Sequence, residues 1–363
     1  MPGLVRGFRG WVALPLMALM LGTLPATGGA ENKAKTLKFA TMIPRSPRMA
    51  LELKKRNKDL AERTGGLAKI RVYWGGAAGD EKNVLRKMRA RQIDGTGLGL
   101  EILSNFVREA LVLASPALFV NYKQIDAVRG QLVGDFNEEA YRNGFKALVW
   151  GDVGRLRLFS KHKIQTIADL KKVRPWLYPE SEMAKVFYKI IGATGVPLGL
   201  NEVYGGMQTG MIDTFWSSSV LAGALQWHRT AKYVSPPLGF IQGALIYKRE
   251  SWDELAPVVR EVMMDMVKKE ARKGQRDIRK QDVQAHRKLL KRGYTEVEAT
   301  NPQEWWDVGH KLRKQMVGRI YTQALVDKAE KIAMKYATEE QLKQFEYMRK
   351  KAGKGALAAK GGM

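Results

Sequence analysis

The segment Thr36-Leu-Lys-Phe-Ala-Thr-Met42 alternates apolar and polar side chains, which predicts a β-strand. A helix is predicted over 47–64 and a second strand over 68–74. Asp80 can cap a further helix that runs to about Arg91, and a short strand is predicted over 95–99. Strands that alternate with helices pair in parallel, so this part of the chain predicts an α/β fold.

A second α/β unit is predicted downstream, followed by long charged helical segments. The expected fold is a two-lobed, periplasmic-binding-protein-like α/β architecture with a long helix bridging both lobes. Lobe I is predicted over 36–155 with part of 245–300, and lobe II over 156–244 with part of 301–340. Lobes joined by crossing segments can close over a ligand by hinge motion.

The two chain ends differ from this pattern. Residues 1–30 combine a basic start, an uncharged apolar run from Trp11 to Leu24 and small residues, which predicts a secretory signal peptide. Cleavage is expected after Ala26 or Ala30, and the mature protein is expected in the periplasm. Residues 350–363 are mostly Lys, Gly and Ala, which predicts a disordered basic tail.

Composition argues against an enzyme. The 363 residues include no cysteine, which excludes disulfides, thiolate metal sites and cysteine nucleophiles. No pair among the four histidines has metal-motif spacing, and the sequence contains no HExxH, GxSxG or GxxxxGK[ST] motif. We therefore expect no catalytic residues, no metal site and no cofactor.

The formal net charge of +26 allows two interpretations. A strongly basic chain can bind nucleic acid or another polyanion. Here the basic residues are spread along the chain and mixed with acids, which favours a solvated surface and no nucleic acid partner. The positive charge is also compatible with contact between the protein and an acidic membrane surface.

Four stretches, in order, resemble the DctP-like solute-binding proteins of TRAP transporters, over about Leu37 to Ala337. They are Thr64-Gly65-Gly66 with the strand to Trp74, Leu156-Arg157-Leu158-Phe159-Ser160, Asp169-Leu170-Lys171, and Glu202-Val203-Tyr204 with Gln208 to Asp213. The resemblance implies a binding protein that closes on a small molecule and delivers it to the membrane subunits of a transporter.

Two departures from the family pattern concern the ligand. Acid-binding members carry an Arg eight positions into the Asp-Leu-Lys motif, where it clamps a carboxylate, and the ungapped position here is Trp176. Ser217 stands where those members have an Asn. With Trp in place of the clamping Arg, the chain resembles a subgroup of the family that shares this change. The resemblance implies an apolar ligand, or a ligand without a clamped carboxylate. A two-residue gap would instead place Arg174 in the clamp position.

Four further residues are candidates for the ligand site. Phe215 and Trp216 alternate on a predicted strand, so one should face the core and the other the cleft. Arg157 is expected to contact the ligand or the hinge, or else to form an ordinary ion pair. Trp74 ends a strand beside Gly75-Gly76, where either a cleft position or core packing is expected.

Three functions follow from these alternatives. The first is a solute-binding protein for an apolar ligand. The second is a conventional organic-acid-binding protein that uses Arg174 or Arg157. The third is a basic protein that binds polyanions of the cell envelope.

Overall fold

A computed structural model describes residues 34–347. The predicted signal peptide at 1–30 and the predicted tail at 350–363 lie outside the described residues.

The described chain is a mixed α/β structure. Its strands are β1 Lys35–Ala40, β2 Ala68–Tyr73, β3 Gly95–Gly99, β4 Phe145–Ser160, β5 Trp176–Leu177, β6 Val196–Pro197, β7 Thr214–Ser217, β8 Tyr233–Val234, β9 Gly239–Lys248 and β10 Thr295–Glu296. Its α-helices are α1 Pro47–Thr64, α2 Glu81–Arg89, α3 Leu100–Leu103, α4 Tyr122–Arg142, α5 Ile167–Leu170, α6 Glu182–Ile191, α7 Val203–Thr209, α8 Ser219–Ala224, α9 Arg249–Asp253, α10 Pro257–Lys291, α11 Pro302–Met316 and α12 Gln323–Met334. Short 3₁₀ helices lie at Arg108–Ala114 and Trp227–Thr230.

Local chemistry explains the predicted start of the fold. The Ser46 side chain caps α1, and the helix ends at Gly65, whose φ of 60° is left-handed and suits glycine. The Asp80 side chain accepts a hydrogen bond from the Asn83 amide and caps α2, as predicted. β1 pairs in parallel with both β2 and β3, which confirms the α/β prediction for this stretch.

One curled sheet of eight strands joins the two ends of the molecule. Its order is β10-β8-β4-β9-β3-β1-β2, and β7 also pairs with β4. We call the β1, β2, β3, β9 end the first lobe and the β5, β6, β7, β8, β10 end the second lobe.

Strand β4 connects the lobes. Residues 145–156 pair with β9, and residues 157–160 then pair with β7 and β8. The sequence predicts two separate strands here, one over 145–150 that ends at Gly151 and another over 156–160, and this prediction is wrong. A bulge between Asp152 and Gly154 bends the strand without ending it, and Gly154 has the positive φ of 132° that the bend requires.

The long helix α10 bridges both lobes, as predicted. Val259 and Met263, near its start, pack with Leu37 and Leu60 of the first lobe. Leu289, near its end, packs in the core of the second lobe. One continuous helix therefore spans the bend in β4.

The final helices also divide between the lobes. Trp305, in the first half of α11, packs against the second lobe, whereas Leu312 packs in the first-lobe core. Helix α12 packs on α4 through Val326 and Ala329. Within 34–347 no helix combines the length and apolar composition that crossing a bilayer requires.

Candidate ligand site at the junction of the lobes

The carboxyl ends of the strands in both lobes point toward the junction. In the first lobe β1, β2 and β3 run in one direction, and in the second lobe β7 and β8 are both antiparallel to β4 and so run alike. Ligands of α/β proteins bind in the crevice at the carboxyl ends of the strands. The junction is therefore the candidate site.

Side chains from the two lobes meet directly there. The Tyr178 hydroxyl, just after β5, donates a 3.1 Å hydrogen bond to Glu81 Oε2 at the start of α2. Lys82 Nζ lies 2.9 Å from Glu180 Oε1. Burial raises the pKa of Glu81. Burial also raises the pKa of Glu101 to about 7, and the neighbouring Ser181 hydroxyl, which lowers this pKa, offsets only part of the rise. The two lobes thus share a polar, partly buried contact.

A group of hydrogen-bond donors lies deeper in the junction. Arg157 on β4 stands opposite Ser217 in the β4–β7 ladder. Its guanidinium donates to the Ser235 carbonyl at 2.9 Å and lies 3.3 Å from Glu296 Oε2. Ser217, Ser235 and Glu296 all stand at or just after the carboxyl ends of β7, β8 and β10, so the strand ends surround Arg157.

Four buried donor atoms around Arg157 have no hydrogen-bond partner among residues 34–347. They are Arg155 Nε, Arg157 Nε, Ser217 Oγ and Ser219 Oγ, and we call these four residues the donor cluster. A buried polar group left unpaired costs about 1–3 kcal/mol. Four such groups in one place favour a ligand with several acceptor oxygens.

Asp282 of α10 holds the donor cluster together. Its Oδ2 accepts from the Arg155 amide at 3.1 Å, and its Oδ1 accepts from the Val220 amide at 3.1 Å. The Arg155 guanidinium lies 5.2 Å from the centre of the Tyr122 ring of the first lobe. The cluster therefore includes contacts from both lobes and from the bridging helix.

A histidine adjoins the cluster. His286 Nε2 lies 2.8 Å from Glu296 Oε2. Burial and the nearby Arg157 lower the pKa of His286, and burial lowers the pKa of Arg157. Both shifts mean that the positively charged forms of His286 and Arg157 are disfavoured at this place. A negatively charged ligand group beside Arg157 would stabilise those charged forms.

Trp176 and Phe215 lie in the second-lobe core, not on a cleft wall. Trp176 is 6% exposed, and its indole N–H donates to the Leu198 carbonyl at 2.8 Å. Its ring meets Trp227 edge-on at 5.5 Å, and Phe215 stacks on Phe159 at 5.0 Å. The expectation that Trp176 forms an apolar ligand wall disagrees with this packing. Pro175 and Pro179 flank Trp176 and predict a loop position, but the contacts with Leu198 and Trp227 enclose the ring.

The remaining predicted residues lie apart from one another. Trp216 faces the opposite side of the sheet from Phe215, is partly exposed, and donates to the Tyr188 hydroxyl at 2.9 Å. Arg174 is 62% exposed and lies 3.5 Å from Asp213, at the amino end of β7 and away from Ser217. Trp74 lines a groove beside β2. Of the predicted site residues, the structure brings Arg157 and Ser217 together.

Sequence reasoning missed Glu81, Glu101, Tyr178, Arg155 and Ser219. Glu101 follows β3, which was a predicted strand, so its position could have identified it. Tyr178 follows β5, a two-residue strand that was not predicted, so its position gave no such signal. Arg155 and Ser219 carry no local signal, because it is Asp282, distant in sequence, that accepts from the backbone amides of Arg155 and of Val220, the neighbour of Ser219. Within 34–347 no group of acidic, histidine or cysteine side chains could hold a metal ion.

Comparisons with known proteins agree with this architecture. An uncharacterised protein of Haemophilus influenzae is 25% identical over 298 residues, which cover 78% of this chain and 87% of that protein. A TRAP periplasmic solute-binding protein from Citrobacter koseri with bound D-glucuronate superposes with a TM-score of 0.71 at 22% identity, over 81% of this chain and 98% of its own. One from Sulfitobacter with bound β-D-galacturonate gives 0.73 at 16% identity, over 82% and 99%.

The family comparison covers both lobes and the bridging helix. Residues 39–319 match the DctP model, described as bacterial extracellular solute-binding protein, family 7. The chain therefore belongs to the family 7 bacterial extracellular solute-binding proteins.

Proposed function

We propose that this protein is the periplasmic solute-binding component of a TRAP-type transporter and that it binds a small hydroxylated carboxylic acid, such as a uronic acid, at the donor cluster. The observation that carries the proposal is the group of unpaired buried donors around Arg157 and Ser217. A carboxylate can accept from a guanidinium, and sugar hydroxyls can pair with serine hydroxyls. The residues 1–30, which read as a signal peptide, support a periplasmic location.

This proposal replaces the apolar ligand as the first choice. The apolar ligand depended on Trp176 as an aromatic wall, and Trp176 is buried against Trp227 with its N–H already bonded. The second expectation, an organic acid held by Arg157 or Arg174, is kept for Arg157 alone. Arg174 is exposed and pairs with Asp213 at the other end of the strands.

Solved relatives support an acidic ligand class. The Citrobacter koseri and Sulfitobacter proteins carry D-glucuronate and β-D-galacturonate, which share a carboxylate and several hydroxyls. The donor cluster offers guanidinium and hydroxyl groups, which suit both parts of such a molecule. The ligand carboxylate would then bind Arg157 on β4. The clamp position that acid-binding members use, eight residues into the Asp169-Leu170-Lys171 motif, carries Trp176 here and has no positive charge.

The test compares acids with their neutral counterparts. The purified protein is denatured to release any co-purified molecule for mass spectrometry, refolded, and titrated calorimetrically with D-glucuronate, D-galacturonate, D-glucose and D-galactose. The proposal expects saturable binding of at least one acid and none of the neutral sugars, since only the acids carry a carboxylate. Release of an apolar molecule, together with no acid binding, would refute it.

A further inference from the structure

A groove of about 710 Å³ lies beside the edge strand β2, between that strand and α1. Five apolar side chains along it are only partly buried: Ala50, Leu53, Ile70, Val72 and Trp74. The groove is separate from the donor cluster, which lies at the strand ends of the second lobe. It therefore calls for an explanation other than solute binding.

The rim of the groove is basic. Arg45, Lys54, Lys69 and Arg71 are exposed, and no acidic residue lines the groove. Other basic residues on α1 have their charges paired: Lys55, Arg56 and Lys58 each form an ion pair with a carboxylate. None of the four rim cations has an ion pair with a carboxylate within the described part of the chain. The rim thus presents four positive charges without compensation.

In the middle of the outer edge of β2, the backbone groups of Ile70 are already hydrogen-bonded. The Asn57 side chain accepts from the Ile70 amide at 2.7 Å and donates to the Ile70 carbonyl at 2.8 Å. An added β-strand would compete with this side chain for the same backbone groups. An occupant is therefore held by the apolar floor and the charged rim, not by strand addition.

We propose that this groove binds an acidic segment of a partner protein that inserts an apolar side chain between α1 and β2. Four rim cations attract carboxylates, and complementary charge raises the rate of encounter and selects the partner. Trp74 and Leu53 give an apolar contact of the kind that anchors interfaces. A flat anionic bilayer would meet the rim but not the concave floor, so a projecting chain segment fits both parts.

The test uses a fluorescent, acetylated peptide of alternating glutamate and leucine, with a lysine-for-glutamate peptide as its counterpart. Anisotropy titrations at low salt compare the protein with a groove variant that carries Arg45→Glu, Lys54→Glu, Lys69→Glu and Arg71→Glu. The matched control carries Lys268→Glu, Arg272→Glu, Lys273→Glu and Arg276→Glu, which reverses the same number of exposed charges on α10. A Trp74→Ala variant tests the floor, and phosphatidylglycerol vesicles test the membrane alternative.

The proposal expects the acidic peptide to bind, and the groove variant to bind it at least about tenfold more weakly than the α10 variant. Trp74→Ala should also weaken binding, which charge attraction alone would not cause. Equal losses in the two charge variants, or vesicle binding without peptide binding, would overturn the proposal. Solute affinity should stay unchanged in the groove variant, so failure here is distinguishable from failure of the proposed solute function.

Discussion

The Tyr178 hydroxyl of the second lobe donates a 3.1 Å hydrogen bond to the Glu81 carboxylate of the first lobe. The bond joins the end of β5 to the start of α2, and so it exists only when the lobes are in contact. Hinged binding proteins gain ligand affinity from such contacts, because the ligand and the closed form stabilise each other.

Tyr178→Phe should weaken solute binding about threefold to tenfold, because one hydrogen bond of the closed form is lost. Isothermal titration calorimetry with the identified solute measures the change. Tyr141→Phe is the matched control, since the Tyr141 hydroxyl also donates to a carboxylate, that of Asp253, but within one lobe. Equal affinities for Tyr178→Phe and Tyr141→Phe would show that the bond does not contribute to closure.

Ser217→Ala should separate ligand binding from folding. Because Ser217 Oγ is buried and has no partner among the described residues, its removal should leave the free energy of unfolding unchanged or slightly higher. Solute affinity should fall about threefold to tenfold if the hydroxyl pairs with the ligand. Urea denaturation and calorimetry measure the two quantities, and a loss of stability with unchanged affinity would place Ser217 outside the site.

Trp176→Ala should destabilise the fold. A buried tryptophan replaced by alanine loses apolar contacts and leaves a cavity, which costs about 3–5 kcal/mol. Trp74→Ala, at the partly exposed groove, should cost clearly less. Urea unfolding of both variants tests this, and a Trp176→Ala protein of normal stability but reduced affinity would restore the expectation of an aromatic ligand wall.

Glu101 should make stability depend on pH. Burial, with the nearby Glu81 charge, raises its pKa from 4.5 to about 7. Between these values the unfolded chain has lost the proton that the native protein keeps, so the free energy of unfolding should fall as pH rises from about 4.5 to about 7 and then level off.

Denaturation at pH 5 and at pH 8 measures this dependence. Glu101→Gln should lose less stability across the interval than the parent protein does, whereas Glu52→Gln, at an exposed position, should behave as the parent. The same fall in Glu101→Gln as in the parent would show that Glu101 is not the responsible group.

Short-range signals predicted much of the fold. The glycine that ends α1 and the aspartate that caps α2 act on their own helices, so the sequence alone reveals them. The prediction for β4 failed at Gly151, because a glycine after an apolar run resembles a strand end. The partner strand β9 keeps β4 continuous across the bulge, and that pairing is invisible in the local sequence.

The site was harder to predict than the fold for the same reason. Arg157 was a candidate because it lies in a stretch that resembles the family, and Ser217 because it replaces an Asn at a family ligand position. The β4–β7 register places the two residues side by side. The adjacent prolines predict a loop position for Trp176, whereas Trp227 and Leu198 enclose it in the structure. Arg155 entered the donor cluster only through Asp282, on a helix distant in sequence.

The most direct test of the account is a calorimetric titration of D-glucuronate, or of the acid identified on release, into Arg157→Gln and Arg174→Gln. Both variants remove one guanidinium, but only Arg157 lies in the donor cluster. We predict that Arg157→Gln weakens binding on the order of a hundredfold, because a buried charge-assisted pair is lost, and that Arg174→Gln binds as the parent does. Unchanged affinity in a folded Arg157→Gln protein, or a loss confined to Arg174→Gln, would contradict the assignment of the carboxylate to β4.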